Sequence, residues 1–416
     1  MNLILTPAQL SGTVTPPPSK SFAHRLLIAA ALTDGESCIG NLAPSQDVEA
    51  TIRCMEALGA RFSRRGGDLL VRGLFTDGAP HFSEPPRLDC GESGSTLRFL
   101  VPVALAVAGE AEFTGHGRLM ERPMLPYAEL FPAKGIRFEQ RNSVLRVKGE
   151  LKPGDYALPG NVSSQFFTGL LFALPLLDGG SRLVSTTRLE SSGYLDMTFD
   201  ALYGAGVTVF ACRSPGEAGE GFSVPGPQRY VPFHRVVEAD WSQAGFFCAA
   251  AGLGNDVRLS GMNEDSCQGD LAVRDWSEEL RGGDDLSIDV SDIPDLVPPL
   301  AVFAALREGR VTTLAGAARL RMKESDRLAS VSRELNALGA RVEEGKDFLT
   351  IRGVASLHGG TAECHNDHRI AMMLAVAATR ADGPVLLRGA ECVAKSYPDF
   401  WDVYRSLGGR IREADA

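Results

Sequence analysis

Six times along the chain, a run of small and apolar residues gives way to a glycine-marked turn and a short alternating stretch. The copies are RLLIAAALTDGESCIGN from Arg25, LRFLVPVALAVAGEAEFTG from Leu97, FFTGLLFALPLLDGGSRLVS from Phe166, AGFFCAAAGLGNDVRLSG from Ala244, LVPPLAVFAALREGRVTTLAG from Leu296 and RIAMMLAVAATRADGPVLLRG from Arg369. Each run is apolar nearly all the way round a 3.6-residue period, which predicts a helix with no face left for water. The marker glycines Gly35, Gly109, Gly179, Gly254, Gly309 and Gly383 are spaced by 55 to 75 residues. That is longer than a solenoid repeat and suits duplicated subdomains. A second, amphipathic helix follows in most copies and ends in a shared phrase: MEALGARF, LFPAKGIRF, LYGAGVTV, LNALGARV and YRSLGGRI. A glycine there closes the helix in the left-handed region, and a strand starts at once. The fourth copy lacks the phrase and reads RDWSEELRGGDDLSID. Alternating stretches such as DLLVRG, SVLRVKG and FLTIRG predict the closing strands. Three copies precede residue 233 and three follow it, so two similar domains are expected, with a boundary near Pro232–Val237.

Bulk properties narrow the class. A chain of 416 residues is too long for one ordinary core. Its 44% hydrophobic and 23% charged residues are those of a globular protein. No stretch of eighteen uninterrupted apolar residues predicts a membrane span. The opening MNLILTPAQLSG has no basic region followed by an apolar run, so a cytoplasmic location is expected. Eight scattered cysteines with no C-x-x-C pair read as reduced thiols. Cys364, His365 and His368 form the one metal-like cluster and have no second ligand pair, so no metal is expected. A formal net charge of -10 argues against a nucleic-acid partner.

The cations nevertheless gather at particular places. Polar residues cluster where each buried helix begins: Lys20-Ser21, Gly91 to Ser95, Ser163-Ser164-Gln165, Asp240 to Gln243, Asp292 to Asp295, and Asn366 to Arg369. Taken singly, each cluster is best explained as capping of free N–H groups. Six at equivalent places also suit an anion site, because helix N-termini carry partial positive charge. Lys20, Arg25, Arg98, Arg122, Lys323, Arg327, Arg369 and Lys395 reinforce that reading. Lys323 and Arg327 are four apart in RMKESDRL, which predicts one helix face, neutralised either by Glu324 and Asp326 or by an anionic ligand. The chain has no G-x-x-x-x-G-K-S/T, full G-x-G-x-x-G, G-x-S-x-G or H-E-x-x-H motif. The residues alone therefore describe a two-domain enzyme for a small polyanion, needing neither metal nor organic cofactor.

Ten motifs in order carry a closer resemblance: PPPSKSFAHR, GESGSTLRF, MERPM, GNVSSQFFTGLL, SSGYLDMT, EADWSQA, DIPDLVPP, LRMKESDRL, NDHRIAMM and AKSYPDFW. Together they resemble the signature set of the 5-enolpyruvylshikimate-3-phosphate synthase family, from about residue 16 to residue 401. The resemblance implies a two-domain inside-out α/β (α+β) barrel with three βαβαββ repeats per domain. Its buried helices would point their N-termini at the interdomain cleft. Residues 1–18 and 234–416 would form a discontinuous domain, and 19–233 an inserted one, with hinges near 16–20 and 232–239. The implied reaction transfers the enolpyruvyl group of phosphoenolpyruvate to the 5-hydroxyl of shikimate 3-phosphate. By motif position, shikimate 3-phosphate would meet Lys20, Ser21, Arg25, Ser163, Ser164, Gln165, Ser191, Tyr194, Asp295 and Lys323. Phosphoenolpyruvate would meet Lys20, Gly94, Arg122, Gln165, Arg327, Arg369 and Lys395. The implied catalytic set is Asp295, Lys323, Glu324, Lys20 and His368. The resemblance further implies a monomer without cofactor, inhibited by glyphosate.

Three positions depart from the family pattern: Glu92 where an Asn is common, Phe99 where Pro is common, and Arg319 where some members have Asn. Trp241 and Gln243, near the second hinge, carry no assigned role. The rival within the superfamily transfers enolpyruvyl to UDP-N-acetylglucosamine. Its members usually have Lys-Asn at Lys20-Ser21 and a reactive Cys in the loop matching GHGRLMERPM, which here has none. A non-catalytic anion-binding scaffold is disfavoured by Lys20, Asp295, Lys323, Glu324 and His368 occurring together.

Overall fold

The computed structural model describes residues 1–212 and 220–414. In them the six apolar runs are helices, each followed by a second helix. In chain order the helices are α1 (Lys20–Ala31), α2 (Gln46–Ala57), α3 (Gly94–Ala108), α4 (Leu125–Ala133), α5 (Ser164–Ala173), α6 (Ser192–Gly204), α7 (Trp241–Gly252), α8 (Val273–Arg281), α9 (Val297–Ala305), α10 (Arg327–Ala337), α11 (His368–Ala378) and α12 (Phe400–Ser406). The odd-numbered helices are the buried ones. Every residue of α11 is buried, and so is α1 from Phe22 onward. Each fully buried Leu or Ile side chain of this kind contributes about 1.5–3 kcal/mol. The second helices keep a wet face, and five end as the shared phrase predicts. Gly59, Gly135, Gly206, Gly339 and Gly408 have φ of +110°, +76°, +76°, +87° and +94°, values that only glycine adopts without strain.

Sheets wrap the helices. In the second repeat, Arg87–Asp89 runs parallel to Glu110–Thr114. That strand pairs antiparallel with Val144–Lys148, which carries Arg137–Arg141 on its far side. Four other repeats have this four-stranded order. In the fourth repeat only Ser11–Val14 and Asp256–Leu259 pair, as a two-stranded sheet. This is the repeat whose sequence lacks the helix-closing phrase.

The chain divides into two compact units, Pro18–Glu238 and Met1–Pro17 with Ala239–Ala416. Each is closed by a strand from its own chain end. In Pro18–Glu238, His234–Val236 lies parallel to Glu36–Gly40 with His234 opposite Cys38. In the other unit, Asn2–Thr6 sits antiparallel between Val385–Arg388 and Arg410–Glu413. The expected boundary at 234 is therefore corrected to 238/239. Val237 N–H donates to Gly40 O at 3.0 Å, and Ser19 N–H to Glu238 O at 2.7 Å, which keeps this segment with the residues around it. On the other side Asp240 N–H donates to Pro17 O at 2.9 Å. Gln268 holds the crossing by donating to Ala239 O and accepting from Trp241 N–H.

Candidate active site

Five buried helices begin with a side chain that accepts from the first turn. Ser19, Ser93, Ser163, Asp240 and Asp367 cap α1, α3, α5, α7 and α11. Capping explains these five residues. It leaves the neighbouring cations to be explained, and they form one cluster in each unit.

In Pro18–Glu238 the cations are held singly. Lys20 opens α1 and donates to Asp47 Oδ2 at 2.9 Å, in the first turn of α2. Arg25 is almost fully buried. Its Nε donates to Thr198 Oγ1 at 2.8 Å and its Nη1 to Ser21 O at 2.6 Å. The guanidinium lies 5.1 Å from the Phe99 ring centre and 6.0 Å from that of Tyr194, within cation–π range. Phe99 thus supplies a wall for Arg25. Ser191, in the left-handed region at φ +62°, leads into α6, which carries Tyr194 and Thr198.

Gln165 is oriented from both ends of its amide. Its Oε1 accepts from Arg98 Nη1 at 2.7 Å and its Nε2 donates to Ser95 Oγ at 2.9 Å. Arg98 is itself fixed through its backbone. Pro102 lies inside α3 and has no N–H for the Arg98 carbonyl four residues earlier. The buried Tyr127 hydroxyl fills that place, 3.0 Å from Arg98 O and 2.8 Å from Phe166 O. Gly169 admits this approach of α5 to α3, since a Cβ there would stand 2.5 Å from both Arg98 O and the Tyr127 hydroxyl. Ser164 is the first residue of α5 and is buried. Gly94 opens α3 against Arg122, whose Nη1 would be 2.6 Å from any Cβ added at residue 94. Beneath these helix starts, His24 Nδ1 meets Thr51 Oγ1 at 2.7 Å, and Thr51 meets Thr96 at 2.6 Å. Burial, then the charges of Lys20 and Arg25, push the His24 pKa well down, so the ring is neutral.

In the other unit the charges are bunched around Asp295. Its Oδ1 accepts from Arg327 Nη1 at 2.7 Å and its Oδ2 from Arg369 Nη2 at 2.9 Å. Lys323 Nζ lies 3.5 Å from Oδ1. The buried Arg327 guanidinium also donates to Glu324 Oε2 at 2.7 Å and to Asp367 Oδ2 at 2.8 Å. Burial works against that charge, and the carboxylates of Asp367, Glu324 and Asp295 outweigh it. Lys323 has less compensation. Burial and the neighbouring Arg327 and Arg319 bring its pKa down to about 8, although Asp295 and Glu324 oppose the shift. Lys395 Nζ donates to Asn366 O at 2.7 Å, and His368 opens α11 fully buried. Arg319 is buried and donates to Ser291 O.

One expectation is corrected here. Lys323 and Arg327 do not share a helix face. Asp326 caps Ala329 N–H, so α10 starts at Arg327 and Lys323 lies before it in extended backbone. Glu324 does meet Arg327, whereas Asp326 pairs with Arg321 at 3.0 Å. The helix α9 has no side-chain cap.

Asp47 and Asp270 were not singled out by the sequence, and Asp367 stood there only as a helix-start residue; Asp47 and Asp367 are the partners of Lys20 and Arg327. Asp270 is buried, accepts from Ser242 Oγ at 2.7 Å, and has its pKa raised to about 6 by burial and then by the charge of Asp295. Each is an Asp near a helix start, indistinguishable in sequence from an ordinary cap.

Helices inside, sheets outside, three repeats per unit and cations at helix starts beside an Asp–Lys–Glu set define an inside-out α/β enzyme for small anions. The chain matches the EPSP synthase (3-phosphoshikimate 1-carboxyvinyltransferase) family over residues 4–404 and belongs to that family. It is 42% identical to the 3-phosphoshikimate 1-carboxyvinyltransferase of Clostridioides difficile (strain 630), covering 99% of this chain and 98% of that protein. It is 43% identical to that of Clostridium beijerinckii, with the same coverage. In fold it is similar to the EPSP synthase of Acinetobacter baumannii, at a TM-score of 0.79 and 24% identity over 100% of both chains.

Proposed function

We propose that the two clusters divide the work of one reaction, with shikimate 3-phosphate held by residues of Pro18–Glu238 and protons moved by the Asp295 cluster. The reaction is the family's: the carboxyvinyl group of phosphoenolpyruvate passes to shikimate 3-phosphate, in the shikimate pathway of aromatic amino-acid biosynthesis. Ser21, Arg25, Ser163, Ser164, Gln165, Ser191 and Tyr194 bind shikimate 3-phosphate, with Lys20 serving both substrates. Gly94, Arg122, Gln165, Arg327, Arg369 and Lys395 bind phosphoenolpyruvate. Arg supplies the paired N–H groups that carboxylate and phosphate accept.

Asp295 takes the proton of the 5-hydroxyl as its oxygen bonds to C2 of phosphoenolpyruvate. Glu324 delivers a proton to C3, giving a tetrahedral ketal phosphate. Glu324 then takes a proton back from C3 as phosphate departs, which restores the double bond. Lys20 and the arginines stabilise the leaving charge. Lys323, with a pKa of about 8, is protonated at neutral pH yet able to exchange its proton. His368 completes the set at the start of α11. A ligand carboxylate that engages Arg327 and Arg369 competes with Asp295 for both, so binding of phosphoenolpyruvate releases the base. The chain acts without cofactor, as a monomer in the cytoplasm.

The observation that carries this reading is Asp295 in contact with Arg327 and Arg369, with Lys323 3.5 Å away. Phosphate release is to be measured with phosphoenolpyruvate and either shikimate 3-phosphate or UDP-N-acetylglucosamine. Turnover is expected with the first acceptor alone. Release with the second acceptor alone contradicts the reading, and release with neither makes the chain a scaffold.

A further inference from the structure

The strand Gly360–Glu363 reaches α11 through a turn that few residues tolerate. Asp367 N–H donates to Cys364 O at 2.9 Å. The two residues between, His365 and Asn366, both have φ of +52°. This is the sign pattern of a mirror-image turn, sparsely populated by residues other than glycine, with Asn, Asp and His the most tolerant. Such a conformation persists where its surroundings hold it.

His365 is held by Glu334. Its Nε2 lies 2.6 Å from Glu334 Oε1, and a carboxylate only accepts, so Nε2 carries the proton. The other oxygen of Glu334 accepts from Glu363 N–H at 2.9 Å. Glu334 is buried on α10, about two turns beyond Arg327. The same turn is fastened to α10 a second time, where Asp367 accepts from Arg327 Nε at 2.8 Å. Between these two ties, the carbonyl of Asn366 accepts from Lys395 Nζ at 2.7 Å. Asp367 then caps α11 by accepting from Arg369 N–H at 3.0 Å. Three things thus depend on the shape of one turn: where Lys395 points, where Arg369 starts its helix, and how Asp367 meets Arg327.

We infer that His365, tethered to Glu334, is a positioning residue that aims Lys395 and Arg369 at phosphoenolpyruvate. The inference rests on the reading of those two cations as phosphoenolpyruvate ligands. His365 is partly exposed and adds little to the core, so its influence is on aim more than on stability. Without the tether the turn relaxes toward negative φ, the Asn366 carbonyl rotates away from Lys395, and the ammonium loses that contact.

The test uses His365→Ala, His365→Gln and Glu334→Gln in the full chain, read by steady-state kinetics on both substrates and by thermal melting. A hydrogen bond to a charged group sets the scale, so His365→Ala is expected to raise KM for phosphoenolpyruvate about tenfold with KM for shikimate 3-phosphate within about twofold. His365→Gln, which restores a donor at similar reach, recovers most of the loss. Glu334→Gln leaves one acceptor for the two donors His365 Nε2 and Glu363 N–H, so combining it with His365→Ala is expected to raise KM for phosphoenolpyruvate by less than the product of the two single effects. A lowered melting temperature with both KM values unchanged overturns the inference, as does an equal rise in both. Lys395→Met and Arg369→Lys serve as controls: if neither raises KM for phosphoenolpyruvate, the site reading fails instead.

Discussion

The two charge clusters solve different problems with the same helix starts. In Pro18–Glu238 each cation has its own neighbours. Lys20 has Asp47, Arg25 has Thr198 and two aromatic rings, and Arg98 has the Gln165 amide. In the other unit three carboxylates converge on the single guanidinium of Arg327. Cations held separately, each by its own partners, keep their geometry fixed, which suits binding of shikimate 3-phosphate. Carboxylates and a lysine packed within reach of one another shift each other's protons, which suits acid–base chemistry. Burial, with Arg327 and Arg319 nearby, brings Lys323 down to about 8, and burial, then the charge of Asp295, brings Asp270 up to about 6.

The sharpest way to break this contrast is at Lys323. Its depressed pKa makes the ammonium dominant below about pH 8 and scarce above it. If the ammonium is needed, turnover falls as pH rises through that value. Lys323→Met is expected to lower kcat by about 10²–10⁴-fold, the range for an acid–base group. Lys323→Arg is expected to abolish the alkaline limb near pH 8, since a guanidinium stays charged. A pH–rate profile of both variants checks this. An alkaline limb that survives in Lys323→Arg belongs to another group.

A binding residue should behave otherwise. Arg25→Lys keeps a positive charge but loses the planar fork, the Thr198 contact and the stacking on Phe99. KM for shikimate 3-phosphate is expected to rise about 10–50-fold with kcat changed by less than about threefold, given the cost of one or two charged hydrogen bonds. A matching loss in kcat would erase the distinction between the clusters.

The smallest effect is expected at Gly94. The added methyl of Gly94→Ala meets Arg122 at 2.6 Å, so the guanidinium must shift. KM for phosphoenolpyruvate is expected to rise about three- to tenfold, the scale of a side-chain displacement in a packed site. Glyphosate is expected to inhibit the parent chain competitively with phosphoenolpyruvate and to inhibit Gly94→Ala far less. Inhibition assays at several phosphoenolpyruvate concentrations decide it, and equal inhibition of both proteins contradicts this account of Gly94.

Local chemistry made much of this legible in the sequence. The apolar runs, the helix-closing glycines and the alternating strands all act over a few residues, and they fold as the pattern predicts. Long-range pairing was hidden. Nothing in HRV at 234–236 says that it completes a sheet with Glu36–Gly40, so the domain boundary read from spacing came too early. The start of α10 was misplaced because RMKESDRL offers several starts, and Asp326 settles on Arg327. Motif position pointed to Asp295 and Lys323, but sequence could not reveal that Asp47, Asp270 and Asp367 sit among the cations. Phe99, unusual in the family pattern, is explained by the guanidinium resting on its ring.

The division of labour is tested most directly by the single-turnover rate of enolpyruvyl transfer in Asp295→Asn, measured by rapid quench with both substrates saturating. The amide has the size of the carboxylate, keeps one acceptor oxygen for the two arginines, and cannot accept the 5-hydroxyl proton. The transfer step is expected to slow by about 10²–10⁴-fold, while affinity for shikimate 3-phosphate changes by less than about threefold. A transfer rate equal to that of the parent chain, with shikimate 3-phosphate binding lost, would place Asp295 among the binding groups and contradict the account.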